Sequence, residues 1–165
     1  MNYQNEKDFF CRTLHNLEIY REEKQKNPKA FEYEITQLIN SFFGLIIFVK
    51  ANAIQENPAL EDFVEANVPT KWDYVYYGKQ EDHNFFNYLR HIRNAIAHPT
   101  YDENLEIKSE NNDISSIIFR DKDPKNPKNI FEANLTIKKI DELIELISKA
   151  FLGTDQCTPE GKIKN

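Results

Sequence analysis

"NFFNYLRHIRNAIAHPTYDENLEIKSENNDISSIIF", residues 84–119, holds the change of rhythm that decides the fold. In its first half Phe85, Leu89, Ile92 and Ile96 recur at helical spacing and share a narrow apolar stripe. Pro99 disfavours the helical conformation at the residue before it, so the helix is expected to stop at His98. Beyond Tyr101 the period drops to two. Leu105 and Ile107 alternate with polar residues, "ISSIIF" (114–119) is a short β-prone run, and Phe131, Ala133, Leu135 and Ile137 alternate in the same way. "SENND" and "DKDPKNPKN" read as the turns between them, which predicts a three-stranded antiparallel meander.

The flanks of this stretch are helical. Phe10, Leu14, Leu17 and Tyr20 mark a first helix over 5–26. "KNPKAFEYEITQLINSFFGLIIFVK" (26–50) reads as a second, with Asn27 as N-cap, Pro28 at the first helical position, and an apolar second half covered on most sides. Gly44 inside it costs about 1 kcal/mol relative to alanine, and the expected compensation is close helix packing, either within the bundle or across a dimer seam. Gln37, Asn40 and Ser41 form a polar edge on the same helix, read as buried hydrogen-bonding groups in preference to a lining of the cleft. "ENPALEDFVEAN" (56–67) repeats the Asn-Pro start and gives a short third helix. Residues 68–80 are loop-like, pinned by Trp72, Tyr74, Tyr76 and Tyr77 to the core rather than offering bases a stacking platform. The last helix covers 138–151, with Ile140, Leu143, Ile144, Ile147 and Phe151 on one face and Gly153 as C-cap. The chain is therefore expected to be mainly α, a helical bundle with a small β-meander before the C-terminal helix. Residues 1–152 form one domain and 153–165 a disordered tail.

Composition narrows the function classes. A chain of 165 residues that is 40% apolar and 29% charged has the balance of one globular domain. Its most apolar segment, "LINSFFGLIIFV" (38–49), is too short to cross a bilayer, and no signal peptide is visible at the N-terminus. Cys11 and Cys157 lie far apart, the second in a polar tail. No disulfide is expected between them, so a reducing, cytoplasmic setting is the default. The net charge of −6 argues against indiscriminate nucleic-acid binding but leaves room for one local positive site.

That site is the 83–101 stretch, which contains no Asp or Glu but holds Arg90, Arg93 and three of the four histidines. On a helical wheel Asn87, His91, Asn94 and His98 cluster on the face opposite the apolar stripe, expected to be solvent-facing. Arg93 and His98 stand about 140° apart on an ideal helix, so the end of the helix at Pro99, or a second copy of it about a two-fold axis, is needed to bring them together. Neither metal-ligand spacing nor a glycine-rich phosphate loop occurs, and no cofactor is called for. What remains is an imidazole that exchanges protons near neutral pH and a guanidinium that grips phosphate in two places. The set suits metal-free cleavage of RNA, with His98 moving protons at the ribose 2′-hydroxyl or the leaving oxygen. Arg93 stabilises charge on the phosphorus oxygens. An arginine and a histidine at this spacing also arise by chance, and a histidine at a helix C-terminus is favourable for its charge alone.

"LRHIRNAIAH" (89–98) resembles the signature of the HEPN superfamily, in which Arg, a polar residue and then His follow one another within a few positions; here these are Arg93, Asn94 and His98. "FEYEITQLINSFFGLIIF" (31–48), the meander and the terminal helix are similar to a plasmid-encoded group of that superfamily, so the resemblance spans roughly residues 5–152. It implies a HEPN-like bundle that homodimerises and sets two motifs in a shared cleft. It also implies metal-independent endoribonuclease activity in a toxin or phage-defence role, and a possible antitoxin or nucleotidyltransferase partner. Arg93 and His98 would be the catalytic pair with Asn94 in support, and Arg90 and His91 would lie on the substrate path. Other members are non-catalytic, so a nucleotide- or RNA-binding regulatory module is the alternative. In toxins modified by such partners a Tyr stands two residues after the motif His; here that place is Thr100 and Tyr101 comes one later, so tyrosine nucleotidylation is not assigned.

Overall fold

The computed structural model describes residues 3–27, 34–48, 74–77, 85–98, 104–110, 113–123, 125–152 and 157. Among these residues four helices and four strands follow in the order α1 (Tyr3–Lys26), α2 (Glu34–Phe48), β1 (Tyr74–Tyr77), α3 (Phe85–Ala97), β2 (Leu105–Glu110), β3 (Asp113–Asp123), β4 (Asn126–Thr136) and α4 (Ile137–Leu152). The architecture is mainly helical, with the antiparallel meander β2–β3–β4 standing before the last helix, as the change of period predicts. One strand was not foreseen. Tyr74–Tyr77 pairs with β4 in the register Tyr74↔Ala133 to Tyr77↔Ile130, which makes the sheet four-stranded in the order β1-β4-β3-β2. Strand pairing is a long-range event, and a four-residue tyrosine-rich run beside Gly78 carries too little alternation to announce it. The short helix expected over 56–67 and Trp72 lie outside the described residues.

The turns are tighter than their composition suggests. β3 runs on to Asp123, and β4 begins at Asn126, where Asp123 pairs with Asn126 after a bulge at Lys122/Asp123. Asp123 Oδ1 accepts the backbone N–H of Lys125 at 2.8 Å, an aspartate turn that lets polar "DKDPKNPKN" be mostly strand. Asn27 closes α1 through its N–H to Glu23 O at 2.9 Å, and the helix start expected at Asn27 and Pro28 falls on residues outside the described ones. α4 starts where Thr136 Oγ1 accepts the N–H of Lys139 at 3.3 Å, a serine/threonine-type N-cap.

One core joins the layers. Leu38, Ile39, Phe42, Leu45 and Ile46 of α2, Ile140, Leu143, Ile144 and Ile147 of α4, and Phe10 and Leu17 of α1 are buried with Ile117, Phe119, Phe131, Ala133 and Leu135 of the sheet. Two aromatic anchors hold the helices to the strands. Phe119 meets Phe42 edge-on at 6.0 Å, and Phe131 meets Tyr88 of α3 edge-on at 5.7 Å. α2 is not covered on all sides, since Asn40 and Ile47 are exposed. Ile107 is also exposed despite sharing a face with Ile117, because β2 is the edge strand and leaves it uncovered.

The cysteines overturn the sequence expectation. Cys11, fully buried in α1, is disulfide-bonded to Cys157, 146 residues further on, with the Cα atoms 5.4 Å apart. A polar tail gives no local sign of such a long-range partner. With both cysteines bonded, cysteine usage no longer points to a reducing compartment.

Among the described residues nothing packs closely on Gly44. A Cβ built there meets Phe9 Cζ at 3.8 Å, an ordinary contact that an alanine would make without displacement. Gln37, Asn40 and Ser41 face a shallow groove of about 210 Å³ opposite Phe9, Thr13 and Asn16 of α1. Of the three only Ser41 is buried; Gln37 is half-buried and Asn40 exposed. The groove belongs to α1 and α2, and no α3 residue lines it.

Candidate active site

α3 is held on two sides, by α2 and by β3. Its buried face is Tyr88, Leu89, Ile92 and Ala95, with Ile96 half-buried beside them. The helix ends at Ala97, and His98 follows as a bend whose N–H still reaches Asn94 O at 3.0 Å. The helix thus stops where the sequence predicts, just before the position of Pro99.

The polar face is not uniformly solvent-facing, which corrects the wheel. His91 and Asn94 are half-buried against the sheet, because β3 and β4 come up beside the apolar stripe. Asp121 of β3 supplies the reason. Its Oδ2 lies 2.7 Å from His91 Nδ1 and accepts an N–H of Asn94 Nδ2 at 2.9 Å. The His91 ring also lies flat on Phe131, with centroids 4.9 Å apart and an interplanar angle of 16°. The Asp121 and His91 side chains are only 17% and 15% exposed, so this pair is screened less than a surface one.

The ridge that faces solvent is Arg90, Arg93, Ala97 and, past the helix end, His98. Arg93 and His98 make no ion pair among the described residues. The structure therefore divides the five candidates: His91 and Asn94 converge on Asp121, whereas Arg90, Arg93 and His98 stand on the open side. α3 has no acidic residue in its first turn and none along its length, so its outward charge is positive. Among the described residues no group of three His, Cys, Asp or Glu side chains assembles in a form that could hold a metal ion. No helix of the described residues is long and apolar enough to cross a membrane.

The family model described as HEPN pEK499 p136 matches residues 1–156. The chain belongs to this HEPN family. No curated protein and no solved structure matches it.

Within this HEPN chain, the residue that sequence reasoning missed is Asp121. It lies 27 residues beyond Asn94 and 30 beyond His91, in a stretch that reads as a charged turn. One signal was there. Asp121 continues the alternation of Ile117 and Phe119, which places a carboxylate on the core-facing side of β3, where an acid needs partners.

A second buried-edge network lies on the other face of the sheet. Arg120 donates from Nε to Glu132 at 2.7 Å and from an Nη to Glu106 at 2.8 Å, joining β4, β3 and β2. The hydrogen bond to Glu132 is the main cause that holds the Arg120 guanidinium pKa above its ordinary value. This network belongs to the sheet's stability and not to the α3 ridge.

Proposed function

We propose that the protein is a metal-independent endoribonuclease of HEPN type, working as a homodimer in which two α3 ridges form one cleft. The observation that carries this reading is that Arg93 and His98 are both exposed near the end of an acid-free helix. An exposed guanidinium with no carboxylate partner among the described residues is available to phosphate, and it binds two oxygens at once. In the reaction the ribose 2′-oxygen bonds to phosphorus, the bond from phosphorus to the 5′-oxygen breaks, and a 2′,3′-cyclic phosphate and a 5′-hydroxyl result. An imidazole takes the 2′-hydroxyl proton and another, or the same one after exchange, gives a proton to the leaving 5′-oxygen. With one His98 from each protomer, the two roles are filled by separate imidazoles. Arg93 meets the charge that grows on the non-bridging oxygens. A toxin or phage-defence role, with an antitoxin or nucleotidyltransferase partner, is the biological setting that suits such an activity.

The test is cleavage of total RNA by the purified protein in EDTA, beside Arg93→Ala and His98→Ala. Cyclic-phosphate ends from the wild type and no cutting by the variants support the reading. Cutting by His98→Ala at the wild-type rate would overturn it. The second reading, a non-catalytic nucleotide- or RNA-binding module, is favoured by the engagement of His91 and Asn94 with Asp121, which uses two of the five candidates inside the fold. Salt-sensitive RNA binding without turnover would select it.

A further inference from the structure

Asp121 is an acid on the core-facing side of a strand, and its carboxylate oxygens can only accept hydrogen bonds when ionised. This settles which way the Asn94 amide points: Nδ2 faces Asp121, so Oδ1, an acceptor, is left on the opposite edge. His98 stands four residues after Asn94 as a bend just past the end of α3, its N–H still bonded to Asn94 O at 3.0 Å, so the two side chains leave the backbone about one turn apart. The same Oδ2 also takes His91 Nδ1, and Phe131 backs that ring, so the carboxylate itself is fixed from two directions.

We propose that Asp121 is a positioning residue of the RNA-cleaving site, acting through Asn94. By holding Nδ2 it presents Oδ1 to a ring N–H of His98, which fixes the tautomer whose other nitrogen meets the ribose 2′-hydroxyl. When that nitrogen takes the hydroxyl proton, the first N–H stays donated to Oδ1. The imidazolium charge is stabilised without moving a proton to the amide or to Asp121. This rests on the endoribonuclease reading above, and it gives α3 the acid that its own sequence lacks.

The experiment measures single-turnover cleavage of an oligoribonucleotide in EDTA, with thermal melts, for wild type, Asp121→Asn, Asn94→Ala and the double variant. Asp121→Asn is expected to lower kcat by about ten- to hundredfold, the usual size when a group that orients a functional side chain is lost, with KM and melting temperature unchanged. The double variant is expected to be no slower than Asn94→Ala alone, since both changes break the same chain of hydrogen bonds. A wild-type rate for Asp121→Asn, or losses that multiply in the double variant, overturns the positioning role and leaves the ribonuclease reading standing. No cleavage by the wild type overturns both. If Asp121→Asn does not fold, ring ¹⁵N shifts of His98 decide between the wild type and Asn94→Ala, each bound to a 2′-deoxy oligonucleotide. One dominant tautomer in the wild type and a mixture in the variant support the proposal; identical spectra overturn it.

Discussion

Cys11 sits without solvent contact in α1 and is joined to Cys157, so the C-terminal tail is tied to the first helix across 146 residues of chain. Closing so long a loop in the unfolded ensemble is worth about 2–5 kcal/mol on the chain-entropy account. The oxidised protein is expected to melt well above the reduced protein, and Cys157→Ser is expected to melt like the reduced wild type. Thermal unfolding with and without dithiothreitol checks this, and an intact mass lighter by two hydrogens confirms the bond. Equal melting in both states would show that the cross-link contributes nothing.

Arg93→Ala and His98→Ala are expected to leave stability within about 0.5 kcal/mol, because both side chains are exposed and neither makes an ion pair among the described residues. Cleavage is expected to fall by roughly a hundredfold or more for each, the scale of a lost acid–base group or oxyanion partner. Melts run beside the RNA assay separate the two effects. A large melting shift for either variant would mean that the side chain has a structural role.

Phe131 is 1% exposed and is wedged between Tyr88 and the flat face of His91. Phe131→Ala is expected to cost about 3–5 kcal/mol through lost burial and the cavity left behind. It should also loosen the His91 ring, visible as a change in that ring's NMR line widths. A loss under about 1 kcal/mol would mean that α3 is not anchored through this contact.

Gly44→Ala gives the opposite sign. Among the described residues the new methyl meets Phe9 Cζ, at an unstrained 3.8 Å, and the unfolded chain loses freedom. A gain of about 0.5–1 kcal/mol is expected in denaturant titrations. If the protein instead loses dimer in light scattering while the subunit stays folded, Gly44 is reserved for a contact between copies.

Arg120→Ala is expected to cost about 1 kcal/mol, since the side chain keeps 21% of its exposure and its partners more. The raised guanidinium pKa means that its contribution is complete below the unfolded value and is lost only as pH rises past the folded one. No pH dependence from this arginine is expected between pH 5 and 9, which paired melts of wild type and variant across that range would test.

Sequence alone determined the parts that depend on local chemistry. The helical stripe Leu89–Ile92–Ile96, the stop imposed by Pro99, the alternation in β3 and β4 and the α4 face Ile140–Leu143–Ile144–Ile147 all follow from periodicity and backbone restriction acting within a few residues. The acid-free stretch with Arg93 and His98 was legible for the same reason, and both side chains are exposed. Tertiary structure decided whatever needed a distant partner. β1 exists because β4 offers it an edge, and Cys11 is cross-linked because the end of the chain returns to α1. His91 and Asn94 turn from solvent-facing groups into members of a half-buried cluster because Asp121, remote in sequence, is carried beside them on β3. A hydrogen bond or disulfide between residues far apart leaves no mark in the local pattern of either one; the folded chain supplies the proximity that makes it.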